Sequence, residues 1–126
     1  MDSTLPKSER LCGKTAVAAL FETGKTLSAG CIRCKYLLRA DKGPVRIVVS
    51  VPKRHFKRAV KRNLLKRRIR EAYRRQKELL GSSIDILFLY TSTEVLPYET
   101  IYADMTAALS AVSVRVVQNI ENQRDV

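Results

Sequence analysis

The chain has 126 residues, 45% of them hydrophobic, and carries 24 Lys and Arg against 12 Asp and Glu, a formal net charge of +12. That length fits one ordinary domain, and the apolar share supports a core, which excludes a wholly disordered chain. So basic a domain calls for a polyanionic partner, nucleic acid or an anionic membrane surface, while no apolar run approaches the roughly 18–20 residues of a transmembrane helix.

In chain order, residues 1–10 read as a flexible polar tail, residues 11–117 as a single domain, and residues 118–126 as a second flexible tail. The start, Met1-Asp2-Ser3-Thr4-Leu5-Pro6, lacks the basic end and apolar stretch of a secretory signal. From Lys14 to Glu22, the positions Ala16, Val17, Leu20 and Phe21 have helical spacing, and Gly24 is a stop signal. Residues 31–39 predict a strand with Ile32, Cys34, Tyr36 and Leu38 on one face and Arg33, Lys35, Leu37 and Arg39 on the other. Asp41-Lys42-Gly43-Pro44 signals a turn, and Val45 to Val51 is rich in β-branched residues, so the two strands are expected to form a hairpin.

The next segment holds the charge. From Lys53 to Lys77 there are 13 basic residues and one acid, Glu71; the rest of the chain, with 11 bases and 11 acids, is neutral. From about Arg58 to Leu80 the segment has no Pro or Gly and many strong helix formers. At about 100° per residue, Leu65, Ile69, Ala72, Tyr73, Leu79 and Leu80 share one arc. Asn63, Lys66, Arg67, Arg70, Arg74 and Lys77 share the adjacent arc, and Arg68 and Arg75 fall outside it as general surface charge. Like charges spaced i, i+4, as in Lys66–Arg70–Arg74, oppose an isolated helix, so the ridge is expected to meet a polyanion. Guanidinium binds phosphate bidentately and stacks on bases, and Asn63 offers both a donor and an acceptor.

Gly81-Ser82-Ser83 breaks the pattern, and Ile84 to Tyr90 reads as a buried strand. Pro97 and Glu99 open a final helix with Ile101, Met105, Ala108, Leu109 and Val112 at helical spacing. The expected fold is α+β, element order α-β-β-α-β-α, with a small sheet covered by helices on one side.

Protein catalysis finds little support. His55 is the single histidine, and it reads as a loop residue or an RNA contact. Cys31 and Cys34 have C-x-x-C spacing, but i and i+3 on a strand point to opposite faces and Cys12 adds at most one ligand, so neither zinc nor redox chemistry is expected. Three cysteines also argue against a disulfide framework and for a reducing, cytoplasmic setting. Asp85 reads as a solvent-exposed carboxylate at a strand edge. From these features the alternatives are an RNA-binding subunit, a plain RNA-binding module, a DNA binder using the major groove, and a membrane-surface helix. The last is disfavoured because the apolar face is aliphatic, lacks Trp and is committed to the core.

The run Arg58-Ala59-Val60-Lys61-Arg62-Asn63-Leu64-Leu65-Lys66-Arg67-Arg68-Ile69-Arg70-Glu71-Ala72-Tyr73-Arg74 resembles the signature of the bacterial ribonuclease P protein component, A-V-x-R-N-x-x-K-R-x-x-R-x-x-[FY]. Ser50-Val51-Pro52-Lys53-Arg54 is similar to the strand end of that family, Leu20-Phe21-x-x-Gly24 to its first helix, and Tyr98-Glu99 to the start of its last. The resemblance spans roughly residues 10–112. It implies an α/β sandwich related to a ribosomal-protein domain, with a left-handed β-α-β crossover around the basic helix. It also implies a subunit that binds a catalytic RNA and the 5′ leader of precursor tRNA, the RNA performing the hydrolysis with Mg²⁺ and the protein itself holding no cofactor. By this resemblance Lys53, Arg54, Arg62, Asn63, Lys66, Arg67, Arg70 and Arg74 would contact the RNA subunit, and Val17, Phe21, Arg33 and Lys35 the leader. Neither a membrane nor an obligatory protein partner is implied. The chain departs from the family at Leu64, where R-N-R is frequent, and at Val17, where relatives often carry an aromatic.

Overall fold

Alternation of apolar residues along the strands and a 3.6-residue repeat along the helices set the architecture. A computed structural model of the chain describes residues 18, 20, 22, 24–38, 45–80 and 84–124, the side chains of 117–124 excepted. Ala18, Leu20 and Glu22 are helical. Then follow β1 (Lys25–Ala29), β2 (Ile32–Leu38), β3 (Arg46–Ser50), α1 (Ala59–Arg74), a 3₁₀ turn (Lys77–Leu79), β4 (Ile84–Tyr90) and α2 (Tyr98–Arg124).

The four strands form one mixed sheet in the order β1-β2-β4-β3. β1 and β2 make an antiparallel hairpin, with Leu27 opposite Cys34 and Ala29 opposite Ile32. β2 and β4 are antiparallel from Ile32↔Tyr90 to Leu38↔Ile84, and β3 runs parallel to β4 from Arg46↔Asp85 to Ser50↔Leu89. The expected hairpin between β2 and β3 therefore does not form, because β4 is inserted between them. The reason lies in β4 itself: six of its seven residues are buried, a pattern that only a strand covered on both faces satisfies. β1 carries just two inward residues, Leu27 and Ala29, on an outer strand, too little patterning to mark it in the sequence.

One face of the sheet bears Ile32, Cys34, Tyr36, Ile47, Val49, Ile84, Ile86, Phe88 and Tyr90, packed against Leu65, Ile69, Ala72 and Tyr73 of α1 and Ile101, Met105, Ala108, Leu109 and Val112 of α2. Tyr73 meets Phe88 with ring centroids 5.8 Å apart. The opposite face is not bare: fully buried Leu20 packs there with Leu87, Leu37 and Val48. The sheet is thus covered on both sides, unlike the one-sided cover expected. The core residues predicted for α2 are all buried, and its backbone stays helical to Arg124, beyond the point where apolar spacing ends.

Two further expectations are corrected. Asp85 is 4% exposed, on an inner strand, and accepts two hydrogen bonds of 2.9 Å from Arg46 Nε and Nη2. The carboxylate is buried where β3 meets β4 and held by the partly exposed Arg46, so it is structural. Helix α1 ends at Arg74, short of Leu80. Gln76 leaves the helix, its amide nitrogen donating to Ala72 O and Tyr102 O, both 3.2 Å, and its backbone N–H to Tyr73 O at 2.9 Å. The chain resumes as a 3₁₀ turn, which leaves Leu79 43% exposed while Leu80 is buried.

Candidate nucleic-acid interface

Helix α1 is held by its buried arc, so its other surface is presented at a fixed orientation. Asn63, Arg67 and Arg70 are exposed and Lys66 is half-buried. Among the described residues, none of Lys66, Arg67 and Arg70 has a carboxylate partner. They lie on one stripe, at i, i+1 and i+4 after Asn63 at i−3. Lys53 and Arg54 are exposed in the turn that leads into the helix. None of these six residues has an ion pair among the described residues.

Four other cations of the basic segment, Arg62, Arg68, Arg74 and Arg75, are spoken for. Arg62 Nη1 donates to Phe56 O at 2.7 Å and to Lys57 O at 2.9 Å, which fixes the loop before α1. Arg68 Nη1 donates to Leu96 O at 2.6 Å and ties the loop between β4 and α2 to the helix. Arg68 is therefore a tether rather than general surface charge. Arg74 makes a bidentate pair with Glu71, both contacts 2.8 Å, and Arg75 reaches the same carboxylate at 3.1 Å. Hydrogen bonding from Arg74, reinforced by Arg75, holds the Glu71 carboxyl below its ordinary range. The same pairing raises the pKa of Arg74. Lys77 sits in the 3₁₀ turn and leaves the stripe, since the projection that placed it there assumed unbroken α-helix.

Of the residues implied for leader binding, Arg33 is exposed and Lys35 half-buried on β2, both on the sheet face where Leu20 packs. That face is the one turned away from α1 and α2, so these two cations and the α1 stripe occupy different layers. Val17 and Phe21 lie outside the described residues.

Cys31 lies in the β1–β2 turn rather than on the strand, so it shares a core with Cys34 and the opposite-face argument fails for the pair. Burial pushes the Cys34 thiol up to about 12. Burial, with the hydrogen-bonded Asp104 carboxyl beside it, pushes the Cys31 thiol to about 12 as well. Thiols raised in this way are protonated at neutral pH and are poor nucleophiles. Asp104 Oδ2 also accepts the Cys31 backbone N–H at 2.9 Å, which seats the turn on α2. Gly30 in that turn has φ +58°, and a Cβ there would come within 2.3 Å of the Asp104 carboxylate. Among the described residues, no group of three His, Cys, Asp or Glu is placed to hold a metal ion, and no helix is long and apolar enough to cross a membrane.

Comparison with known proteins shows what the chain is similar to. The family described as Ribonuclease P matches residues 5–113. A ribonuclease P protein component from Porphyromonas gingivalis is 34% identical over 125 residues, covering 92% of this chain and 88% of its own length. One from Chlorobaculum tepidum is 40% identical over 87 residues, 65% of this chain and 56% of the relative. Among solved structures, the RNase P protein of Thermotoga maritima superposes with a TM-score of 0.72 at 22% identity, covering 82% of this chain and 96% of that one. The Staphylococcus aureus RNase P protein gives 0.75 at 20% identity, covering 86% and 98%. At those identities the two structures speak for the fold.

Proposed function

Because the chain belongs to the ribonuclease P protein component family of bacteria, we propose that it binds the catalytic RNA of ribonuclease P and the 5′ leader of precursor tRNA, and so assists removal of the leader. The observation that carries this reading is the stripe of Asn63, Lys66, Arg67 and Arg70 on a docked helix, its cations without acidic partners among the described residues. A stripe left uncompensated within the fold is completed by phosphates outside it. Arg67 and Arg70 can each grip a phosphate through two parallel N–H donors, Lys66 adds a point charge, and Asn63 can read a 2′-OH or a base edge. Lys53 and Arg54 extend the same contact along the preceding turn. Arg62 contributes mainly by fixing that turn, and Arg74 is partly neutralised by Glu71.

The leader would run over the opposite layer, along Arg33 and Lys35 and the first helix. Hydrolysis belongs to the RNA subunit and its Mg²⁺, and the protein's part is to position both RNAs. Such a role places it in the cytoplasm with the rest of tRNA processing. The test is reconstitution: with cognate catalytic RNA and precursor tRNA at low Mg²⁺, the folded protein should stimulate leader removal. Absence of stimulation would overturn the reading.

A further inference from the structure

The start of α1 and the loop after β4 border an open pocket of about 490 Å³. Lys57, Arg58 and Lys61 line it from the α1 side, and Thr93, Glu94 and Val95 from the loop. The volume lies within the ~300–1,000 Å³ typical of small-molecule sites. We propose that this pocket binds a nucleotide through its phosphate, as a site separate from the α1 stripe.

Four observations bear on the ligand. First, the three cations are exposed and have no acidic partner among the described residues. Second, α1 begins beside them with no side-chain cap at Arg58 and no acid in its first turn, so its free N–H groups and positive dipole end add to the field. Third, His55 also lines the pocket, and its Nδ1 is buried without a hydrogen-bond partner among the described residues. Fourth, the loop side is of another character, with a hydroxyl, a carboxylate and an apolar side chain. A phosphate satisfies the cations, while Thr93 and Glu94 can take the hydroxyl and N–H groups of a ribose or base, and Val95 can cover its face. An acidic peptide meets the cations equally well but is repelled by Glu94.

The pocket is distinct from the stripe by geometry. At about 100° per residue, Lys61 stands about 120–180° around the helix from Asn63, Lys66, Arg67 and Arg70. The loop side is rigidly placed, because Tyr90 Oη donates to Glu94 O at 2.5 Å and accepts Leu96 N–H at 3.2 Å, and Arg68 holds Leu96 O. A preformed pocket loses little conformational freedom on binding.

The test is a titration of the full chain, without any RNA, followed by amide NMR shifts, so it is independent of the reconstitution assay. The probes are adenosine 5′-monophosphate, adenosine, inorganic phosphate and a short polyglutamate peptide. The monophosphate should shift residues 55–61 and 93–95, bind more tightly than inorganic phosphate, and exceed adenosine and polyglutamate by at least about tenfold. Lys57→Ala with Lys61→Ala, both at exposed positions, should weaken it by about tenfold while leaving the melting temperature unchanged. Phosphate binding as tightly as the monophosphate would reduce the pocket to a general anion site and overturn the proposal. So would shifts confined to residues 63–74, equal binding of polyglutamate, or an undiminished affinity in the double variant.

Discussion

Helix α1 carries two kinds of arginine. Arg62 and Arg68 spend their donors on backbone carbonyls, of Phe56 and Lys57 in one case and Leu96 in the other. Arg67 and Arg70, on another side of the same helix, have no protein acceptor among the described residues. In composition the two kinds are identical. What separates them is where the helix docks: a guanidinium on the flank can reach a neighbouring loop, and one on the crest can reach solvent alone. The difference leaves the flank arginines holding the fold and the crest arginines without protein acceptors, as the proposed RNA contact needs.

The contrast can be broken first at its foundation. Ile69 is fully buried beneath the helix, and Ile69→Ala should destabilise the protein by about 2–4 kcal/mol in denaturant unfolding. RNA affinity per folded molecule should stay near the parent value, since the crest is untouched. Next comes a flank arginine. Arg68→Ala removes a charged hydrogen bond and leaves Leu96 O without its donor, so a loss of about 1–2 kcal/mol is expected. The salt dependence of RNA binding should not change. A shallower slope would move Arg68 into the interface.

The crest should answer in the opposite way. Arg70→Ala should alter stability by no more than about 0.5 kcal/mol, yet reduce the slope of log K against log salt by about 0.7–0.9, the share of one phosphate contact. An unchanged slope would place Arg70 outside the interface. The smallest effect is expected at Glu71, which lies between the two classes. Its carboxyl is held below the ordinary 4.5 by Arg74 and Arg75. A depressed folded-state pKa gives stability that is present above that ordinary value and lost as pH falls through the folded one. Glu71→Gln should therefore cost little near neutral pH, and the difference from the parent should vanish in acid. At neutral pH it should also strengthen RNA binding slightly by freeing two guanidinium groups. A growing difference in acid would contradict the pairing.

Much of this division was open to a sequence reading, and its limits are physical. The docked arc of Leu65, Ile69, Ala72 and Tyr73 repeats with the helix, and so does the crest, because both are set by chain-local geometry. The tethers are invisible for a different reason. Leu96 O, 28 residues from Arg68, is a backbone group that any residue would provide. For Asp85, charge alone predicts exposure, because its partner Arg46 comes from a strand brought alongside by the fold. The same holds for β3, whose pairing depends on an insertion that local turn signals do not encode. The end of α1 is misread through one residue, Gln76, whose amide finds better partners off the helix than its backbone does on it.

The sheet order has a consequence for synthesis. β4 is the last strand made, yet it pairs with both β2 and β3, and α1 lies in the chain between β3 and β4. Until residues 84–90 have been added, the preceding cationic segment has no completed sheet to dock on. Pairing across so long a separation is slow relative to local helix formation. The basic segment therefore passes through a stage as an unanchored polycation beside ribosomal RNA. The carboxyl-terminal third of the chain, which is itself net acidic, ends that stage.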